Sequence, residues 1–140
     1  MTPPRSSSVV PCLRYAGPDA ALDFLRRAFG FAEHFVARDG ESRVAHAQLV
    51  LGGGMVMIGP AADPALHDWQ PPRYAGGVVT GCTYVLVADA DAHHARAAAA
   101  GAAVPETPAD RPCGGRDYMA RDPEGNLWSF GTYDPWAAES

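Results

Sequence analysis

The chain repeats one order of predicted secondary structure twice, and this internal duplication constrains the fold more than any other feature. Each half predicts a strand, a helix that ends at a glycine, and three further strands. A shift of 71 residues places the helix-ending Gly30 on Gly101, and a shift of 72 residues places the turn glycine Gly53 on Gly125. Because repeats of this size mark duplicated supersecondary units, we predict two β-α-β-β-β modules.

Hydrophobic periodicity and the positions of glycine and proline set the predicted element boundaries. In the first half, strands are predicted at 9–15, 32–38, 43–50 and 55–58, with a helix that begins near Pro18 and ends at Gly30. In the second half, strands are predicted at 80–87, 102–106, 116–121 and 127–132, with a helix over 92–100 that Asp89 or Asp91 caps. One helix covers only one face of four strands, so we expect the two modules together to enclose a cleft.

The length of 140 residues suits a single domain. Within it the first module spans about 9–58 and the second about 79–133. The segment 59–78 between them is rich in proline, alanine and glycine, and it contains His67, Trp69 and Tyr74. A connection of this length inside a compact domain is usually functional or disordered. We therefore predict a linker with a mobile loop.

Charge and composition argue against several classes of function. The formal net charge is -5, so the chain lacks the basic surface that nucleic-acid binding needs. No apolar run is long enough to span a bilayer, and residues 1–8 lack the apolar core of a signal peptide. The cysteines Cys12, Cys82 and Cys113 are widely spaced and odd in number, which favours free thiols in a reducing compartment. We expect a cytoplasmic protein that binds neither nucleic acid nor a membrane.

Three short motifs carry a resemblance to a known family. They are Leu13-Arg14-Tyr15 followed by Ala21-Leu22-Asp23-Phe24-Leu25, Ala28-Phe29-Gly30, and Asp122-Pro123-Glu124-Gly125-Asn126 before the last strand. Over residues 9–133 the chain resembles the vicinal-oxygen-chelate superfamily, which includes glyoxalases, bleomycin-resistance proteins and extradiol dioxygenases. The resemblance implies an α+β fold in which the paired modules form a U-shaped, incomplete barrel of eight strands with helices on the outer face. It also implies a homodimer.

Metal-dependent members of this superfamily hold a divalent ion with His and Glu side chains from the first and fourth strands of each half. The resemblance carries these positions onto Val10 (or Pro11), Met57, Cys82 (or Gly81) and Ser129. None of these residues is a histidine or a carboxylate, which are the ligands that such ions favour. We therefore expect no metal site of the usual kind and no cofactor.

The histidines do not rebuild such a site in the sequence. His93 and His94 are adjacent on a helix, so their side chains diverge by about 100°, and both are expected on its solvated surface. His46 is expected to share a strand face with Val44 and Gln48. Two interpretations of His46 stay open: it faces the cavity, or it is a hydrogen-bonded structural residue.

Strand alternation predicts which side chains line the cleft. Leu13, Tyr15, Val85, Val87, Trp128 and Phe130 are expected to pack beneath the helices. The cavity candidates are Cys12, Arg14, His46, Gln48, Met57, Cys82, Tyr84, Tyr118, Ser129 and Trp69. Arg14 either pairs with an anionic ligand or is an ordinary surface residue. Trp69 either closes over the pocket from the linker or packs on a neighbouring subunit.

An apolar cleft with few polar groups is typical of a small-molecule pocket. The first hypothesis is a metal-independent protein that binds and sequesters a small molecule. The alternative is a lyase, isomerase or dioxygenase-like enzyme that uses a relocated metal site or His46 as a general base. A third hypothesis is a noncatalytic regulatory domain without a ligand-sized pocket. No catalytic residue is assigned, because one scaffold can host many chemistries.

Overall fold

The computed structural model describes residues 8–61, 69–112 and 114–137, and within them the predicted duplication is confirmed. The first half contains β1 (Cys12–Tyr15), α1 (Pro18–Phe29), β2 (Ala32–Arg38), β3 (Val44–Leu51) and β4 (Gly54–Pro60). The second half contains β5 (Thr83–Leu86), α2 (Ala90–Ala99), β6 (Ala103–Asp110), β7 (Arg116–Arg121) and β8 (Leu127–Gly131). A single turn of 3-10 helix, Pro72–Tyr74, lies between the halves. His67 and Cys113 lie outside the described residues.

Each half folds into its own four-stranded sheet. The strand orders are β1-β4-β3-β2 and β5-β8-β7-β6. In both sheets the first strand of the half runs parallel to the fourth, and the other neighbours are antiparallel. The helix of each half packs on one face of its own sheet. This arrangement confirms the predicted α+β architecture of two β-α-β-β-β modules without a closed barrel.

Local sequence explains most of the element boundaries. Pro18 occupies the first turn of α1, where its missing N–H is not needed. The helix ends at Gly30, whose φ of 87° lies in the left-handed region that favours glycine. Strand β6 continues past its predicted end at Glu106 to Asp110 and contains both Pro105 and Pro108, because an edge strand tolerates proline. Among the described residues, no helix is long and apolar enough to cross a membrane.

One continuous core joins the two halves. As strand alternation predicted, Tyr15, Trp128 and Phe130 are fully buried in it. Leu13, Val85 and Val87 pack against its edge. The ring of Phe29, at the end of α1, lies 5.4 Å from that of Trp128 and 4.7 Å from that of Phe130. Because Phe29 belongs to the first half and its two partners to the second, these aromatic contacts hold the modules together.

Buried acidic side chains of the second half hold the beginning of α1. The carboxylate of Glu124 accepts hydrogen bonds from the backbone N–H groups of Ala16 at 2.6 Å and Gly17 at 2.8 Å. Its negative charge also lies at the positive end of the helix dipole. The neighbouring Asp122 accepts from the hydroxyl of Tyr15 at 2.6 Å and from the indole N–H of Trp128 at 3.1 Å. The turn that carried the family resemblance is therefore the joint between the modules.

Side chains of α2 hold the other end of α1. The guanidinium of Arg96 donates to the backbone carbonyls of Arg26 and Arg27. His93 bridges the halves, with Nε2 at 2.7 Å from the carbonyl oxygen of Phe29 and Nδ1 at 2.5 Å from the hydroxyl of Tyr118. A carbonyl only accepts, so Nε2 carries the proton and Nδ1 accepts from Tyr118. The expectation that His93 lies on a solvated surface is therefore wrong, because its partners come from distant parts of the chain.

This setting of His93 predicts a loss of stability on mild acidification. Burial lowers the pKa of His93 below the ordinary 6.5, and the positive charge of Arg96 lowers it further, against the raising effect of the bond to Phe29. The unfolded chain therefore takes up a proton near pH 6.5 before the folded chain does, and stability falls as the pH drops below that value. Urea unfolding at pH 7.5 and pH 5.5 should give a lower midpoint at pH 5.5. His93→Gln should reduce this difference between the two midpoints. His34→Gln, at an exposed histidine, is the control and should retain it. An unchanged difference in both variants would show that His93 is not the group responsible.

Candidate functional site

The face of the first sheet that points away from α1 is the main candidate surface for a ligand, and we call it the first open face. Its residues are Cys12, Arg14, Phe35, His46, Gln48, Met55, Met57 and Gly59. One row crosses all four strands, since Cys12 pairs with Met57, Met57 with Gln48, and Gln48 with Phe35. The row is apolar and sulfur-containing apart from one amide. It matches the type of lining predicted for the cleft, and the described chain places no helix over it.

Arg14 and Trp69 form a stacked pair beside this row. The guanidinium carbon of Arg14 lies 4.1 Å from the centroid of the Trp69 ring, which is cation–π geometry. Arg14 pairs with Gly59 on β4, and a Cβ at Gly59 would lie only 2.6 Å from Nη1 of Arg14. The absence of a side chain at Gly59 therefore makes room for the guanidinium. Of the two roles considered for Trp69, the structure places its ring over a residue of the first open face.

His46 and Gln48 add two polar groups to the first open face. The amide Nε2 of Gln48 donates to Nε2 of His46 at 3.1 Å, and the ring of Phe35 lies 6.4 Å from that of His46. Val44 was expected on the same face, but only 2% of its surface is exposed and it belongs to the core. The reason is a bulge opposite the end of β2, which adds one residue to β3 between Val44 and His46 and reverses the alternation.

The corresponding face of the second sheet, the second open face, has a similar mix of polar and apolar side chains. Its residues are Tyr84, Leu86, Asp117, Met119, Leu127, Ser129 and Gly131. Tyr84 pairs with Ser129 and donates from its hydroxyl to the carbonyl of Tyr133 at 2.7 Å. A Cβ at Gly131 would lie 2.8 Å from that hydroxyl, so glycine leaves space for the ring of Tyr84. Asp117 forms an ion pair with Arg111 at 2.7 Å.

Tyr118, predicted to line the cleft, belongs to the core instead. It is fully buried, its hydroxyl bonds to His93, and its ring stacks on that of Phe130 at 5.5 Å. The same burial raises the pKa of the Tyr118 hydroxyl above its ordinary value. Tyr118 thus packs in the second module beneath α2, on the side of the sheet away from the second open face.

The misplacement of Tyr118 comes from an error of one residue in the predicted alignment of the two halves. A shift of 72 residues placed His46 on Tyr118. The strand pairings align Gln48 of β3 with Met119 of β7, which is a shift of 71, and the residue equivalent to His46 is then Asp117. Since side chains alternate along a strand, a slip of one residue exchanges the core face for the open face.

Two cavities adjoin β5. Cys82 is exposed and lines a cavity of about 350 Å³ together with Leu13 and residues 78–81. Tyr84 lines a cavity of about 530 Å³ together with Met55, Leu86 and Trp136. Trp136 is 89% exposed and was missed in the sequence, because it follows the last strand, where no periodicity assigns a face.

The residues at the family's metal-binding positions do not fit a divalent ion. Met57 lies opposite Cys12 on β1, and Ser129 lies opposite Tyr84 on β5, whereas the first-strand positions Val10 and Cys82 precede these strands. Cys12 and Cys82 are the thiols among these residues, and none of the others carries an imidazole or a carboxylate that zinc, iron or manganese would prefer. Across residues 8–61, 69–112 and 114–137, no three His, Cys, Asp or Glu side chains are grouped as a metal site requires.

The sequence and the fold agree on the family. Residues 9–130 match the Glyoxalase/Bleomycin resistance protein/Dioxygenase superfamily. The chain therefore belongs to this superfamily, as a member without the usual metal ligands. No curated protein matches its sequence significantly.

Solved structures with this fold cover nearly the whole chain. TioX from Micromonospora sp. ML1 is 38% identical, with a TM-score of 0.70, over 89% of this chain and 94% of TioX. TnmS3, described as an antibiotic binding protein from Streptomyces sp. CB03234, is 23% identical, with a TM-score of 0.66, over 89% of this chain and 95% of TnmS3. The bleomycin-binding protein of Streptomyces verticillus, solved with copper(II)-bleomycin, is 22% identical, with a TM-score of 0.61, over 91% of this chain and 97% of that protein.

Proposed function

We propose that the protein binds and sequesters a small organic molecule without a metal, in the cytoplasm. The observation that carries this proposal is the first open face, an apolar surface around Met57 where the described residues include no group of three His, Cys, Asp or Glu side chains. Clefts with this composition are typical of small-molecule pockets. Two proteins that share the fold, TnmS3 and the protein of Streptomyces verticillus, are described as an antibiotic binding protein and a bleomycin-binding protein, so this fold can hold such molecules.

The proposal includes a homodimer in which a second copy covers the open faces. A single sheet face is too open to remove most of a ligand's surface from water, which pockets for such ligands normally do. Exposed apolar side chains suited to a subunit contact lie on these faces and beside them: Phe35 (52% exposed), Leu86 (47%) and Trp136 (89%). Burying such residues favours association through the hydrophobic effect.

The uncharged fluorophore N-phenyl-1-naphthylamine tests the proposal. It should bind saturably, and the affinity should be the same with and without EDTA. When the fluorophore is present at ten times its dissociation constant, the melting temperature of the protein should rise by about 5 °C, because binding at that concentration stabilises the folded state by about 1.4 kcal/mol. Met57→Lys should weaken binding about tenfold by placing a charge on the apolar row. Ala98→Lys, at an exposed position of α2, is the matched control and should bind normally.

Two results would overturn the proposal. If the fluorophore does not bind, the open faces are not a ligand site. If elemental analysis finds near-stoichiometric metal, and if EDTA together with His46→Ala abolishes binding, the protein is better described as an enzyme with a relocated metal centre.

A further inference from the structure

We propose that Arg14 makes the first open face a binding site for a ligand that carries an acidic group, with a carboxylate as the form that fits it best. This inference rests on the proposed function and names the class of molecule that the same surface takes. It starts from the contacts of Arg14, which differ from those of most other arginines in the chain.

Most arginines among the described residues have a carboxylate or carbonyl partner. Six lie within 4.0 Å of a carboxylate: Arg26, Arg27, Arg38, Arg43, Arg111 and Arg116. Arg96 and Arg121 donate to backbone carbonyls. Within the described part of the chain, Arg14 has neither kind of partner, and its recorded contact is the face of Trp69. A half-buried cation without an anion is costly unless something else supplies the charge.

The stacking of Arg14 leaves its donors available. A guanidinium stacks through its flat face, whereas its N–H groups point outward in the plane. Contact with Trp69 therefore fixes the orientation of the group and leaves its edge able to bind a carboxylate through two parallel hydrogen bonds. Gly59 leaves room for the guanidinium on the other side, because a Cβ there would lie 2.6 Å from Nη1 of Arg14. Such pre-orientation reduces the entropy lost when the ligand binds.

The surroundings of Arg14 favour an anion as well. The residues of the first open face include no aspartate or glutamate, although the whole chain has a net charge of -5. His46, on the strand next to Gly59, accepts the Gln48 amide at Nε2, so in its neutral form its other nitrogen, Nδ1, is a donor. The second open face instead carries Asp117, whose charge Arg111 already balances. An acidic group is therefore directed to the first sheet, and the apolar part of the ligand to the row of Cys12 and Met57.

Two related fluorophores separate the acidic group from the rest of a ligand. 8-Anilinonaphthalene-1-sulfonate is anionic, and N-phenyl-1-naphthylamine has the same ring system without the charge. The wild-type protein should bind the anionic probe more tightly, and the preference should decrease at high salt. Arg14→Gln should weaken binding of the anionic probe about tenfold, as expected for the loss of one charge-assisted contact. It should leave the affinity for the neutral probe within about twofold of the wild-type value. Gly59→Ala should act in the same direction by displacing the guanidinium.

Arg73→Gln is the matched control. Arg73 is exposed and also lies over an aromatic ring, that of Tyr74 at 5.6 Å, but it is outside the open face. It should leave both affinities unchanged, and circular dichroism should show that all three variants are folded. Equal weakening of both probes by Arg14→Gln would overturn the inference, because Arg14 would then act by packing. If the neutral probe binds and the anionic probe does not, the inference fails while the proposed function stands; if neither binds, both fail.

Discussion

Replacing Asp122 by alanine is expected to destabilise the protein by about 4 kcal/mol, which a urea titration followed by tryptophan fluorescence would measure. The loss leaves two buried donors without an acceptor, the hydroxyl of Tyr15 and the indole N–H of Trp128. Each unsatisfied buried group costs about 1–3 kcal/mol. Asp122 also affects the ionisation of Tyr15, because burial and the charge of Asp122 raise the pKa of the Tyr15 hydroxyl well above its ordinary value.

The chain contains a matched control for this substitution. Asp39 accepts from the backbone N–H groups two and four residues ahead, at Glu41 and Arg43, as Asp122 does in its own turn. Asp39, however, lies in an exposed turn and holds no buried side chain. Asp39→Ala should therefore lose far less stability than Asp122→Ala. Equal losses would mean that the turn hydrogen bonds, and not the contact between the modules, account for the effect.

Phe29→Ala should cost about 3–5 kcal/mol, the range for a buried aromatic residue that leaves a cavity. Its ring is fully buried and contacts the rings of Trp128, Phe130 and His93 from the other half. The wild-type and variant proteins should both unfold in one transition, with fluorescence and circular dichroism superimposing, because the shared core couples the modules. Tyr74→Ala, at an exposed aromatic residue outside the open faces, is the control and should have a small effect. Two separate transitions in the wild type would show that the halves are independent.

The repeated pattern predicts the fold well because it depends on local chemistry. Alternation along β1 and β8 assigns Tyr15, Trp128 and Phe130 to the core, and Gly30 ends α1 by its backbone freedom. The first open face follows from the same alternation. Bulges are the exception, since the one in β3 places Val44 in the core. Tyr118 was misplaced for a different reason, an error of one residue in the shift between the two halves.

Contacts between distant residues could not be predicted in this way. His93 lies on an alanine-rich helix whose sequence hardly distinguishes an inner from an outer face, and its partner Phe29 is 64 residues away. Glu124 and the backbone of Gly17 are 107 residues apart. No pattern within a window of one helix or strand contains such pairs, so the joint between the modules is visible only in three dimensions.

That joint also fixes the order of the modules along the chain. Glu124 caps the first helix of the other module, but the residue that corresponds to it in the first half, 72 positions earlier, is Gly52. The first half therefore offers no carboxylate in return, and α2 is capped by its own Asp89. A chain made of two copies of the first half would keep the strands and helices of both units. It would lose the hydrogen bonds between the carboxylate of Glu124 and the start of α1. The duplicated halves have become complementary parts that are no longer interchangeable copies.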